Sequence, residues 1–491
     1  MGASISNVSN NVVANGEGKS YGGALVVLTS LFFMWGFITC MNDILIPFLK
    51  KVFELGYFQA MLVQFSFFGA YFIGSLVYFL ISIKSGDPIS RIGYKNGLLL
   101  GLVISAIACL MFYPAAVLKI YGLFLTALFV LGLGFTLLQI AANPYVAILG
   151  SPETASSRLN LSQAFNSFGT TIAPIIGGFL VFHYFATWGE PLTNAIGEVI
   201  TTDGGVPISA NGVKLPYLLF AAVFVVLAVI IKITKLPRFT NEEEISADAG
   251  ALKYRHLVLG MIAIFMYVGG EVSIGSVLII YMKEMVGYPE MEAKSFLAFY
   301  WGGAMIGRFL GAVSMSQMKG ELKKLLLMFG ISVATFFVIY FAVYVESTDG
   351  FALERVLPFV IFMVINLIAF QFGKSMPART LMIFALIVIA MLITTLLTSG
   401  MVAIWVVLGI GLFNSIMWSN IFTLAIKDLG KYTSQGSSLL VMSILGGALI
   451  PLIQGGLADV IGLHSSFFVP IFCYLYLAYY GWKGHEVKKL S

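Results

Sequence analysis

The chain predicts an all-α integral membrane protein of about fourteen transmembrane segments, on three observations: its composition, its recurrent long apolar stretches, and the placement of basic residues between them. Of its residues, 59% are hydrophobic and only 10% charged, whereas soluble domains carry about 25% charge. A water-facing surface cannot be covered from such a stock. Apolar stretches run near 24–49, 59–83, 97–116, 121–148, 159–184, 216–235, 257–282, 295–315, 324–345, 355–371, 379–398, 401–425, 436–457 and 466–482. Most approach the ~20 residues that cross about 30 Å of hydrocarbon; the stretch at 355–371 is short. An even number returns both termini to one side.

The basic residues orient this arrangement. With the N-terminus in the cytoplasm, cytoplasmic segments hold 21 of the 28 Lys and Arg residues. Lys50, Lys51, Lys119, Lys214, Lys283, Lys294 and Arg355 remain outside. That bias follows the positive-inside rule and predicts both termini in the cytoplasm. The net charge of +5 is spread over loops and carries topology, not a nucleic-acid surface.

The polar stretches set the organisation. Residues 1–20 are Asn/Ser/Gly-rich and read as a disordered cytoplasmic tail, without the basic start and apolar run of a secretory signal. Met1, Gly2, Ala3 and Ser6 fit a myristoylation start, which adds little to a multi-spanning chain. Residues 185–215 fall outside the membrane, and 236–256 form a charged cytoplasmic linker. The expected units are therefore a six-helix bundle at 21–235, the linker, a second bundle at 257–483 and a short cytoplasmic tail at 484–491. Cys40, Cys109 and Cys473 are scattered through apolar stretches and suggest neither a disulfide framework nor a zinc site.

An internal repeat relates the bundles. Gly132, Gly134, Asn143, Gly169, Pro174 and Gly178 match Gly409, Gly411, Asn420, Gly446, Pro451 and Gly455 at a constant offset of 277. The intramembrane carboxylates Asp43 and Glu271 match at 228, so 49 residues are gained between them. Two extra helices near 321–371 account for the difference. The core is then six plus six helices in parallel repeat, as in transporters with a midplane site.

The runs FFMWGFITCMNDILIPFLKKVF (32–53), LGLGFTLLQIAANPYVAILG (131–150) and RLNLSQAFNSFGTTIAPIIGG (158–178) carry a family resemblance. So do ISRIGYKNG (89–97), IGRFLG (306–311) and the region 423–455. The chain resembles the fucose/glucose–galactose permease family of the major facilitator superfamily, over most of 25–480. The resemblance implies a bacterial inner-membrane protein taking up sugar with a cation, through a cavity lined by core helices one, four, seven and ten. Asp43 matches an aspartate tied to proton coupling in the fucose branch. Gln139 replaces that branch's glutamate, as in the glucose/galactose branch associated with sodium. Gln163 matches a substrate-associated glutamine, and Glu271 stands where the fucose branch has glutamine.

The residue chemistry fits this implication. A lone carboxylate at mid-membrane costs roughly 2.5–3.5 kcal/mol on insertion scales, so Asp43 needs a proton, a cation or Na⁺. Snorkelling at the helix end is its bland alternative. Asn42 points about 100° away and need not share the same ligand. Gln139 and Asn143, spaced i, i+4, face one side and offer oxygens to a hard cation or hydrogen bonds to hydroxyls; interhelical glue is the competing role. Pro144 frees one more carbonyl. Gln163 and Asn166 share a face of the fifth segment, while Arg158 and Asn160 serve the adjoining loop. Glu271 faces the cavity with no intramembrane basic partner. Asn414 and Trp418 share a face of the tenth core helix, near Asn420, and suit a pyranose ring; packing is the alternative for Trp418. Arg91 and Arg308, at cytoplasmic helix ends, are assigned to gating by resemblance, and Lys323 and Lys324 read as solvated or lipid-facing charges.

The expectation is a sodium-coupled hexose transporter working by alternating access, on glucose, galactose or N-acetylglucosamine. A proton-coupled symporter using Asp43 and Glu271 is the alternative, and a non-transporting sugar sensor a remoter one. An enzyme is disfavoured: no HExxH, GxSxG, Walker loop or GxGxxG is present. The partners expected are a sugar, a coupling cation (Na⁺ at Asp43) and the lipid bilayer, with no cofactor, no nucleic acid and a monomeric state.

Overall fold

The computed structural model describes residues 22–488 except 56, 186, 195–196, 202–204, 206, 238–246, 289 and 347–350. Side chains at 42–43, 47, 50, 57–58, 60–61, 174–175, 178, 182–183, 290–291 and 346 also lie outside the description, so the readings of Asn42, Asp43 and the N-terminal tail fall there.

The apolar stretches form rods because no water competes for their backbone groups in hydrocarbon, and only internal hydrogen bonding satisfies them. In the first half these are α1 (Gly22–Val52), α2 (Tyr57–Ser85), α3 (Pro88–Ile92), α4 (Tyr94–Leu118), α5 (Tyr121–Ile148), α6 (Ala155–Phe179) and α7 (Asn211–Ile233). The second half begins with α8 (Arg255–Val286), α9 (Glu290–Ser314), α10 (Glu321–Glu346), α11 (Leu357–Gly373) and α12 (Pro377–Leu397). It ends with α13 (Gly400–Asn414), α14 (Met417–Ala425), α15 (Thr433–Met442), α16 (Gly446–Ile461), α17 (Leu463–Ser466) and α18 (Phe468–Tyr479). Among the described residues, 12 helical stretches are long and apolar enough to cross a membrane. The fourteen segments expected exceed that number by 159–184, where α6 carries many polar residues, and 466–482, where the helix is broken into short pieces.

The repeat is visible in the packing. In the first half α1 lies on α6, α4 on α5 and α7, and α2 on α5. In the second, α8 lies on α16, α12 on α13 and α18, and α9 on α13. Two repeat glycines show why the pattern recurs. A Cβ on Gly169 would collide with the Phe33 carbonyl oxygen of α1, and one on Gly446 with that of Phe265 in α8. Small residues let membrane helices approach this closely.

Among the described residues, helices α10 and α11 have no counterpart in the first half; they pack against α9, α12 and α13. Lys324 corrects the solvated-charge reading: it is buried and donates to the Ser316 carbonyl (3.2 Å) and Ser375 Oγ (3.0 Å). The reason is geometric, since the first turn of α10 folds back against the end of α9. At the other end Arg355 pairs with Glu292 and lies over the rings of Phe296 and Phe351.

Between α6 and α7, antiparallel bridges (Pro191↔Ser209, Thr193↔Val199, Thr201↔Pro207) compact the long polar excursion. The described end of the linker docks on the bundle: Ala251 N–H donates to Gln435 Oε1 at 2.9 Å.

Candidate functional site

The two halves meet through α6 against α9 and α2 against α15. Polar contacts between them concentrate at the face bearing the 86–93 loop. Ser156 and Thr423 hydroxyls are 2.6 Å apart, Ser157 Oγ donates to the Ala312 carbonyl at 2.6 Å, and Asn160 Nδ2 donates to Asn420 Oδ1 at 3.2 Å. Gln435 Nε2 donates to Ser82 Oγ (2.9 Å), and Ser434 Oγ to the Tyr94 hydroxyl (3.2 Å). That face is closed. Asn160, expected to serve the loop, instead joins the halves; Arg158 does serve it, donating to the carbonyls of Val146 (3.0 Å) and Ser151 (3.1 Å).

Asp87 organises the same face. Its Oδ1 accepts from the N–H of Ile89 (2.9 Å) and Ser90 (3.4 Å), capping α3, and from the Tyr78 hydroxyl. Burial pushes its carboxyl above the usual range, and the Tyr78 hydroxyl partly offsets this. Arg91, read as a gate, is exposed and donates to the Ser85 carbonyl in its own loop.

Above the closed face, polar side chains gather in two clusters. In the first half, Trp35 Nε1 donates to the Tyr71 hydroxyl at 3.2 Å, and Gln139 and Thr39 crowd the same hydroxyl. Gln139 Oε1, Thr39 Oγ1 and both amide atoms of Asn143 are buried without hydrogen-bond partners. A buried oxygen left unpaired costs about 1–3 kcal/mol, so several on facing helices suit a bound polar species. Thr39 was missed in the sequence, although it stands one turn before Asp43 on α1.

The second cluster centres on Glu271, which is buried on α8. Arg308 of α9 lies close enough to act on its charge, and the Tyr267 hydroxyl neighbours both, buried without a hydrogen-bond partner of its own. This corrects both the partnerless reading of Glu271 and the helix-end reading of Arg308. Helix α9 continues to Ser314, nearly two turns beyond Arg308, which places the guanidinium well inside the bundle. Arg308 Nε donates to the Ser415 carbonyl at 3.1 Å, and Nη1 donates to Ser167 Oγ across the halves. The carbonyl is free because α13 and α14 are interrupted at Ser415–Ile416. Irregular backbone at membrane depth occurs where protein or a cavity satisfies it.

The other expected ligands divide. Gln163 is buried on α6. Asn166 Nδ2 donates to the Phe32 carbonyl at 2.9 Å, fastening α6 to α1. Asn414 donates to the Tyr300 hydroxyl (2.9 Å) and accepts from Tyr474 (2.7 Å), while Tyr300 donates to the Glu271 carbonyl (2.8 Å). Asn414 therefore steadies the backbone beneath Glu271. The interruption also weakens the i, i+4 argument joining it to Trp418, whose indole is buried and stacked on Phe422 at 6.2 Å. Asn420 is held between Asn160 and the Pro377 carbonyl (3.1 Å).

Such an arrangement, with repeated halves, one closed face and buried polar side chains between them, is that of an alternating-access carrier. The sequence profile described as Major Facilitator Superfamily matches residues 24–379. The chain belongs to the major facilitator superfamily. It is accordingly a multi-pass membrane transporter and not an enzyme. Within the superfamily it is 46% identical over 473 residues to the glucose/galactose transporter of Brucella abortus biovar 1 (strain 9-941), covering 95% of each chain. It is 29% identical to the L-fucose-proton symporter of Escherichia coli (strain K12), covering 94% of this chain and 92% of that one. The crystal structure of a major facilitator superfamily transporter, FucP, in the outward conformation is similar, with a TM-score of 0.69, 26% identity, and 95% and 99% coverage. A second FucP crystal structure gives a TM-score of 0.71 at the same identity and coverage.

Proposed function

We propose that this transporter takes up a hexose of the glucose/galactose type together with Na⁺, by alternating access, with both termini in the cytoplasm and the closed face on that side. The observation that carries the reading is the pair of clusters on facing halves, Trp35–Thr39–Tyr71–Gln139 and Tyr267–Glu271–Arg308. The name of the Brucella relative supports the substrate class. A buried carboxylate beside an arginine offers an acceptor and a donor to neighbouring sugar hydroxyls, and Gln163 a neutral amide.

Sodium is favoured over a proton by the oxygen set. Asp43 and Thr39 on α1, with Gln139 and Asn143 on α5, offer the hard oxygen ligands that a small cation prefers. An amide at 139 cannot carry the second proton that a carboxylate could. Proton coupling is the second reading, favoured by Glu271 and by the fucose-proton symporter relative.

Uptake of labelled galactose into proteoliposomes separates these readings. An inward Na⁺ gradient at fixed pH is expected to drive accumulation, and Asp43→Asn to abolish it. Accumulation indifferent to Na⁺ but driven by a pH step rejects sodium. Retained sugar binding with no flux under either gradient points to a sensor.

A further inference from the structure

We infer that Trp301 of α9 is the aromatic platform of the sugar site, on which the apolar face of a pyranose ring stacks while Glu271 and Arg308 address its hydroxyls; this rests on the hexose reading above. Trp301 and Arg308 are seven residues apart on one helix, so they share a face at an axial separation of roughly 10 Å. Arg308 reaches across that face to Ser167 of the opposite half, which identifies it as the face turned toward the interface. The next contact outward is Thr171 Oγ1 with Met305 Sδ at 3.7 Å, and Trp301 stands one turn further along the same face.

Its surroundings fit an open ledge. The indole is 40% exposed, while Ala304 between it and Arg308 is buried, so accessibility rises away from the closed face. Its edge rests on α8 at Gly275, where an added Cβ would meet Trp301 Cζ2 at 2.6 Å. Gly275 follows Glu271 by one turn and so shares its face. The Trp301 ring is also held at 78° against Tyr300, centroids 5.1 Å apart. Tyr300 is itself fixed through Asn414 and the Glu271 carbonyl. An oriented aromatic ring thus lies one helical turn outward of the buried carboxylate. Trp418, by contrast, is 8% exposed and occupied by Phe422.

The test uses the full chain in proteoliposomes, with labelled D-galactose as probe, comparing the parent with W301F and W301L. W301L is expected to raise KM roughly tenfold, the scale of one stacking contact, with Vmax held within about twofold. W301F, which keeps a ring, should recover most of the loss. Should W301L fail to fold, the galactose-induced change in indole emission decides: it should fall by half or more in W301F. A parental KM in W301L, or an undiminished emission change in W301F, overturns the platform. A parent that neither binds nor moves D-galactose or D-glucose overturns the hexose reading, and the platform with it.

Discussion

Gln435 is the point at which both halves and the linker meet. Its Nε2 donates to Ser82 Oγ of α2 (2.9 Å) and to the Asp248 carbonyl (2.8 Å), and its Oε1 accepts from Ala251 N–H (2.9 Å). The linker is anchored on the other half as well, where the Tyr145 hydroxyl donates to the Pro237 carbonyl at 2.6 Å. Gln435→Leu keeps the volume and removes all three bonds. A hydrogen bond contributes a net of about 1 kcal/mol, so the Ser82 contact alone favours the closed face about fivefold. If loosening the linker adds its two bonds, the total approaches ~3 kcal/mol, or a factor of more than a hundred. Spin labels on the exposed residues Asn96 and Lys427, one in each half, would report this as a longer-distance population in Gln435→Leu. Apparent affinity for sugar presented to the open face should fall in proportion to the lost fraction of the closed-face state, by that factor at most. Unchanged distance distributions and unchanged affinity would refute the reasoning.

The repeat glycines should differ sharply. Gly446→Ala drives a methyl into the Phe265 carbonyl and is expected to lower the melting temperature in detergent by several degrees, whereas Gly455→Ala, with nothing within 4 Å, should melt like the parent. Lys324→Met removes donors from the Ser316 carbonyl and Ser375 Oγ, and should cost about 1–3 kcal/mol in thermal or denaturant unfolding. Asp87 gives a pH dependence: its folded-state pKa is raised by burial, so its protonation-linked contribution is full below the ordinary value of 3.8 and is lost as pH rises through the raised one. Asp87→Asn should flatten that acid-side decline in a melting series from pH 4 to 8; an unchanged slope would count against it.

How far the sequence carries depends on which physical signal each feature rests on. Length and apolarity fix the rods, and the glycines at 169 and 446 betray the repeat because close helix approach tolerates little else. The displacement of 49 residues points to two further helices near 321–371, the stretch in which α10 and α11 lie. Side-chain partners were another matter. Helical spacing tells which residues share a face but not which neighbour that face meets, so Asn166 and Asn414 looked free although α1, Tyr300 and Tyr474 hold them. Arg308 escaped as the partner of Glu271 because the apolar run 295–315 gives the extent of the helix but not how deep in the bundle each of its side chains lies. The pairing of Asn414 with Trp418 assumes a continuous helix through Ser415, and only tertiary packing shows that this indole is wedged in the core. Thr39 offered no more than its place one turn before Asp43.

The breaks in helical geometry are unevenly shared. Helix α5 runs unbroken through Pro144, whereas its repeat partner is split into α13 and α14; α6 runs whole through the stretch where its partner is split into α15 and α16. Behind the first split stands Asn366 of α11, donating to the Leu412 carbonyl at 3.1 Å from a helix the other half does not possess. One limb of the carrier is thus a stiff lever and the other a jointed one with a splint along its lipid side. Bending within the second limb, and not two equal bodies see-sawing, is the movement that such construction favours.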